Sequence, residues 1–295
     1  MKSVMKLGKR TALASLGAAL FLSNMAHAQS LESHAQQAQQ PQLSVELPVQ
    51  GVTLNYTQPV RLEQVLNDAN ANGALGYFPL SAQLFDRNAQ QQVDTLKEQV
   101  LEQLNQLALQ EPQARSVITQ LESFDYQARY FVDLDRNAVI SQPEKNPLLV
   151  SKDMSLLKNG SLSKEEALES ASLHVSEQPN QAQRFDLYLT SRAIDVTVVG
   201  AVKQTHKLTL IEHGQLDNYL SKLPKGELLE IADKSTAFVI QPDGHVDEIS
   251  YAYWNTEQAY FAPGAILFIA FDSLPSEFST LNQNIIELLR HKVNL

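Results

Sequence analysis

Apolar and polar positions alternate where the ordered part of the chain begins. Leu43, Val45 and Leu47 are separated by polar residues, the period-two signature of a half-buried strand, and Gly51 to Tyr56 reads as its hairpin partner. After the Thr57-Gln-Pro59 turn the period lengthens, and Leu62, Val65, Leu66 and Ala69 share one helical face before Gly73 and Gly76 break it. From Asn88 to Leu109, Val93, Leu96, Val100, Leu104 and Leu107 recur every three or four positions. Glu111-Pro112 stops that helix, and Val117, Ile118 and Leu121 continue on a shorter one. The pattern predicts a helical hairpin whose narrow stripe either projects from a sheet or lies across it by one face.

Past Phe124 period two returns, with Ala128, Tyr130, Val132 and Leu134 set against polar neighbours in a strand ending near Asp135-Arg-Asn137. Ser163 ahead of Glu166 predicts a short capped helix over Ser161 to Val175. Phe185 to Thr190 and Ile194 to Val202 are β-rich, and Leu208 to Leu210 leads into a helix through Leu216, Tyr219 and Leu220. Ala237 to Ile240, a Gln241-Pro-Asp-Gly244 turn, Val246 to Tyr253 and Ala265 to Phe271 complete a strand-rich half. Both halves thus read β-β-α followed by strands, which favours α+β units over a doubly wound parallel sheet. The chain closes on an amphipathic helix entered at Pro275-Ser276, with Phe278, Leu281, Ile285 and Leu288 on its apolar face. Such a face is covered by its own domain or docks on a partner.

Composition and charge then narrow the setting. Lys2, Lys6, Lys9 and Arg10, an apolar run from Thr11 to Leu22 and Ala26-His27-Ala28 form a secretory signal with cleavage expected after Ala28. Losing residues 1–28 removes four of the 23 basic residues and none of the 33 acidic ones, moving the formal charge from -10 to -14. That acidity argues against nucleic acid or anionic lipid as partner. The chain has no Cys, so neither a disulfide nor a Cys-linked lipid anchor is available. Beyond the signal no segment is apolar enough to span a membrane. Residues 29–42 are Gln- and Ala-rich and read as a flexible leader, and the product is expected in the periplasm.

Catalytic chemistry is hard to assemble. Asp133 to Glu144 places oxygen donors with EF-hand spacing, but Ala138 stands where glycine is required and Pro143 blocks the exit helix, so no calcium site is expected. Ser161-Leu-Ser-Lys164 lacks the companion motifs of acylating enzymes. His34, His174, His206, His213, His245 and His291 form no His-x-x-x-His pair, and no nucleophile elbow or phosphate loop occurs. No catalytic residue, metal or cofactor is therefore assigned.

Several motifs do carry a resemblance. Ala128-Arg129-Tyr130-Phe-Val-Asp-Leu-Asp135, Asn146-Pro147-Leu-Leu149 and Ser191-Arg192-Ala193 running to Gly200 are followed in order by Gln241-Pro-Asp-Gly244, Tyr253-Trp254-Asn255, Ala262-Pro-Gly264 and Leu281-Asn282. The series resembles the GfcC/YjbG capsule and exopolysaccharide biosynthesis family over residues 43 to 292, with extra length at 152–183. The resemblance implies two β-grasp domains, at 43–192 with a helical hairpin inserted at 88–123 and at 193–272, followed by an amphipathic helix over 273–295. It implies a periplasmic, non-enzymatic accessory factor whose partner is polysaccharide or the polysaccharide-export machinery at the outer membrane. The rival is a polysaccharide-modifying enzyme with a dispersed site. Arg129, Arg192, Trp254 and Asn255 are the candidate ligand- or partner-binding residues, and Phe278, Leu281, Ile285 and Leu288 the candidate partner-helix face. From sequence alone Arg129 also fits a sheet-edge arginine with its stem packed and its head in solvent. Placed at the functional site, Arg129→Ala is expected to leave thermal stability nearly unchanged while polysaccharide export falls. Trp254 likewise fits a core or interface anchor.

Overall fold

The computed structural model describes residues 41–132, 146–149, 182–252, 255–256 and 258–294. The strand pair β1 (Leu43–Leu47) and β2 (Val52–Tyr56) forms the expected hairpin, with Val45 opposite Leu54. Next come β3 (Val60–Arg61), α1 (Leu62–Ala71), β4 (Gln83–Asp86), α2 (Gln90–Gln110) and α3 (Arg115–Glu122). The half closes with β5 (Arg129–Tyr130), β6 (Leu148–Leu149) and β7 (Gln183–Tyr188). Five strands form one sheet in the order β2-β1-β7-β4-β5, parallel only between β1 and β7. The apolar face of α1 shares a buried cluster with β1, β4 and β7. Its free N-terminal amides are met from far along the chain: Leu62 donates to the Pro147 carbonyl at 3.2 Å and Glu63 to Asn146 Oδ1 at 3.0 Å. That is the work of the Asn146-Pro147 motif, while Leu148 and Leu149 pair with β3.

The second half repeats this plan with β8 (Asp195–Gly200), β9 (His206–Thr209), α4 (Leu216–Leu220) and β10 (Ala232–Ile240). It continues through β11 (Val246–Ala252), β12 (Asn255–Thr256), β13 (Ile266–Phe271) and the final helix α5 (Leu281–Arg290). Its sheet order is β12-β11-β10-β13-β8-β9, again with the opening strand β8 parallel to the closing strand β13. In each sheet a hairpin leads, a helix follows, and the last strand inserts beside the first.

Two differences from the sequence reading have physical causes. The helical hairpin is inserted in the first half, but Val93, Val100, Leu104, Leu107, Val117 and Leu121 are buried in the core of the second sheet. Gln120 fixes it there, donating through Nε2 to the carbonyls of Gly200 and Val202 and accepting from the Gly200 N–H. Strand β4 escaped the pattern because polar Gln83 and Asp86 bound it, yet all four of its residues are buried. Helix α5 begins at Leu281 rather than at Pro275-Ser276, which leads instead into a short 3-10 turn over Ser276–Phe278. The strand expected to run on to Asp135 is described only as Arg129–Tyr130. The EF-hand-like loop, the 161–175 helix, Ser161-x-x-Lys164 and residues 1–40 lie outside the described residues.

The Gly200 junction is tightly specified. Gly200 adopts φ +101, and a Cβ there would come within 2.7 Å of the Phe268 ring and collide with the Ile269 carbonyl. Gly200→Ala is expected to destabilise the protein more than Gln120→Ala, which leaves the Gly200 N–H unpaired while the Gly200 and Val202 carbonyls keep the Val202 N–H and Ser116 Oγ, and should cost about 1–3 kcal/mol. Denaturant unfolding of the two variants beside the parent chain checks both the size and the order.

Candidate functional site

Sequence singled out Arg129, and its setting is a buried seam between the two halves. The residue is 3% exposed, so its head is not in solvent. Its backbone N–H donates to Nδ1 of His291 at 3.0 Å, and its guanidinium donates to the Pro242 carbonyl in the turn between β10 and β11. Phe131 is the common plate of this seam. The Arg290 guanidinium lies 4.1 Å and that of Arg129 5.7 Å from its ring centre, and the His291 ring meets it edge-on at 5.3 Å. Gly244 completes the contact at φ +92, where a Cβ would press within 2.8 Å of Phe131, and its carbonyl accepts from Arg290 Nε at 2.9 Å.

The electrostatics of the seam follow from burial. Desolvation pushes the Arg129 guanidinium down to about 10, opposed by Asp243 and reinforced by Arg290, and the group remains charged at neutral pH. Because His291 Nδ1 accepts the Arg129 N–H, its ring proton sits on Nε2, which faces Glu287 Oε1 at 3.6 Å. Contact with His291 is the largest influence holding Glu287 down at about 2, with Arg290 adding to it against burial. At 3.6 Å the His291 contact is long, and the 2.6 Å bond from Arg290 Nη1 is the firmer of the two.

The seam continues along the chain's last residues. Gln127 donates to the His291 carbonyl at 3.1 Å and Val293 to that of Asp125 at 2.9 Å. The buried Gln83 of β4 donates to the Lys292 carbonyl at 3.2 Å and accepts from the Asn294 N–H at 2.9 Å. At the other end of α5, Asn282 exchanges two hydrogen bonds with the backbone of Phe271. Phe278, Leu281, Ile285 and Leu288 are all buried within the chain's own core, so of the two roles open to this helix the structure displays the intramolecular one. Gln83, Phe131 and His291 were not legible as seam residues from sequence. Only Phe131, beside Arg129 in the quoted motif, carried any signal.

The remaining candidates do not join the seam. Arg192 is exposed and its guanidinium lies 5.8 Å from the Phe78 ring centre. Trp254 lies outside the described residues, and Asn255 is described through the pairing of β12 with β11. Among the described residues no three of His, Cys, Asp or Glu gather as metal ligands. No helix among them is long and apolar enough to cross a membrane.

The motifs that build these junctions coincide with matches to known proteins. Residues 38–156 match the family model Capsule biosynthesis GfcC, N-terminal, and residues 204–294 match Capsule biosynthesis GfcC C-terminal. The chain belongs to the GfcC capsule biosynthesis family. It is also similar to the Uncharacterized protein YjbG of Escherichia coli (strain K12), 30% identical over 111 residues. That alignment covers 37% of this chain and 44% of the relative, so less than half of that protein's length is spanned. Strands β7 and β8, each of which takes part in the one parallel pairing of its sheet, lie between the two matched regions.

Two outcomes are expected of the seam. Arg129→Ala removes a buried side chain that bridges two sheets and should destabilise the protein by about 2–4 kcal/mol, against the nearly unchanged stability expected of an arginine held at a functional site and spared from core duty. Denaturant midpoints measure this. Glu287 is held well below its ordinary 4.5, so the stability it contributes is complete above about pH 4.5 and is lost as pH falls toward 2. Across that window the parent chain should lose stability more steeply than Glu287→Gln.

Proposed function

We propose that the chain is a periplasmic, non-enzymatic accessory factor in the assembly or export of capsular or extracellular polysaccharide. The observation that carries this reading is the pair of capsule-biosynthesis matches, which fall in order on the two sheets. The N-terminal segment supports export, since Lys2 to Ala28 has the layout of a secretory signal. We read both sheets as β-grasp units. In each, the strand order and the single parallel pairing between opening and closing strands support that description. The motifs of the resemblance support a structural rather than chemical use: Asn146 caps α1, Gln241 ties the β10–β11 turn to the carbonyl of Tyr260, and Asn282 anchors α5. A partner role for the α5 face would require exposing side chains that now fill the core, which argues for partner contact elsewhere on the molecule.

The test is deletion in the source organism with quantitation of surface polysaccharide, its intracellular precursor and its sugar composition. Reduced surface polymer with accumulated precursor and unchanged composition is the expected result. Normal quantity with altered composition or chain length would instead identify a polysaccharide-modifying enzyme.

A further inference from the structure

We propose that the cleft where the first sheet, the helical hairpin and the chain's last residues meet is a subsite for one neutral sugar unit of a polysaccharide; this deepens the preceding reading and rests on it. The cleft holds about 280 Å³, and Asp94 and Lys97 of α2, Asp125, Tyr126 and Gln127 ahead of β5, and Tyr188 at the end of β7 wall it. Pockets for drug-sized ligands run from roughly 300 to 1,000 Å³, so this one suits a single pyranose rather than a longer stretch of chain. It lies where separate parts of the fold converge, the usual place for a small-molecule site, and it borders the far end of the seam through Asp125, Gln127 and Val293.

Its lining is rich in acceptors. Gln127 donates through Nε2 to the Tyr188 hydroxyl at 3.2 Å, so the phenol accepts there and has its own proton to give. The other end of that amide, Oε1, has no hydrogen-bond partner among the described residues and is shielded from solvent, so a donor hydroxyl in the cleft would reach it once the amide turns. Asp94 takes a hydrogen bond from Gln90 through Oδ1 at 2.9 Å and keeps Oδ2 for a ligand. A carboxylate can accept from two neighbouring hydroxyls, an arrangement that the vicinal diols of a pyranose present. Lys97 is drawn over the Tyr126 ring, 5.2 Å from its centre. Two carboxylates against one ammonium, on a chain of net charge -10, disfavour an anionic sugar and select a neutral one.

Asp94 and Asp125 are exposed, so their conversion to amides spares the core. Tyr188→Phe keeps the ring that meets Phe85 edge-on at 5.5 Å and removes the hydroxyl with the single part-buried bond it accepts from Gln127. The full-length chain would be titrated calorimetrically with neutral tetrasaccharides released from the source strain's own exopolysaccharide, with tetragalacturonate as the anionic control. Binding of the neutral pool and not of the uronate is expected. Both the Asp94→Asn/Asp125→Asn double variant and Tyr188→Phe should weaken it about tenfold or more, with unfolding midpoints close to that of the parent chain. Binding that both variants leave unchanged overturns this subsite while sparing the polysaccharide reading. Preference for the uronate overturns it on charge. Absence of binding by the parent chain also overturns it, whereas the accessory role stands or falls separately on the deletion phenotype.

Discussion

One short stretch of backbone holds both halves of this molecule. The Arg129 N–H bonds to His291 just past the last helix, and its guanidinium bonds to Pro242 in a turn of the second sheet, while its own strand belongs to the first sheet. Because the guanidinium is desolvated, each neighbour must be placed to compensate it: Pro242 by a carbonyl, Phe131 by its ring face and Asp243 by its charge. Gly244 follows from the same constraint, since no Cβ fits against Phe131. The tail beyond α5 then closes on the strand segment before Arg129, and the hairpin from the first half covers the second core. Neither half is therefore complete without residues encoded in the other, and Pro41–Leu295 forms one compact unit.

The parts of this arrangement legible in sequence are those governed by local periodicity. The β1–β2 hairpin, α1, the hairpin helices and the apolar face of α5 each announce themselves through spacing alone. What periodicity cannot give is the address of an apolar stripe. Val100 and Leu104 predict that α2 has a buried face, but not that the face belongs to the sheet encoded after it. Polar residues in buried positions mislead more directly. Gln83, Gln120 and Arg129 are polar residues in buried positions, and each spends polar atoms on backbone groups 80 or more residues away. Family motifs recovered some of these places because they mark junctions rather than elements.

That distribution bears on function. In a capsule-biosynthesis family member, residues singled out by motif prove to be used largely in fastening one part of the fold to another, while exposed polar side chains such as Asp94 and Asp125 border an accessible cleft. A rigid seam beside an open, acceptor-lined cleft is the arrangement expected of a binding scaffold, in which fixed elements hold recognition groups at constant separation. Arg129, Phe131 and His291 thus fasten the two sheets, while Asp94, Lys97 and Tyr188 border the cleft.

The seam makes the two sheets one cooperative body. Native-state hydrogen exchange in graded denaturant tests this most directly, by following the amides of Val45 in the first sheet and Phe268 in the second. Equal opening free energies with equal denaturant slopes are predicted for the two sites. If Val45 exchanged through an opening of much lower free energy and smaller slope while Phe268 stayed protected, the halves would be separate folding units and the claim would be wrong.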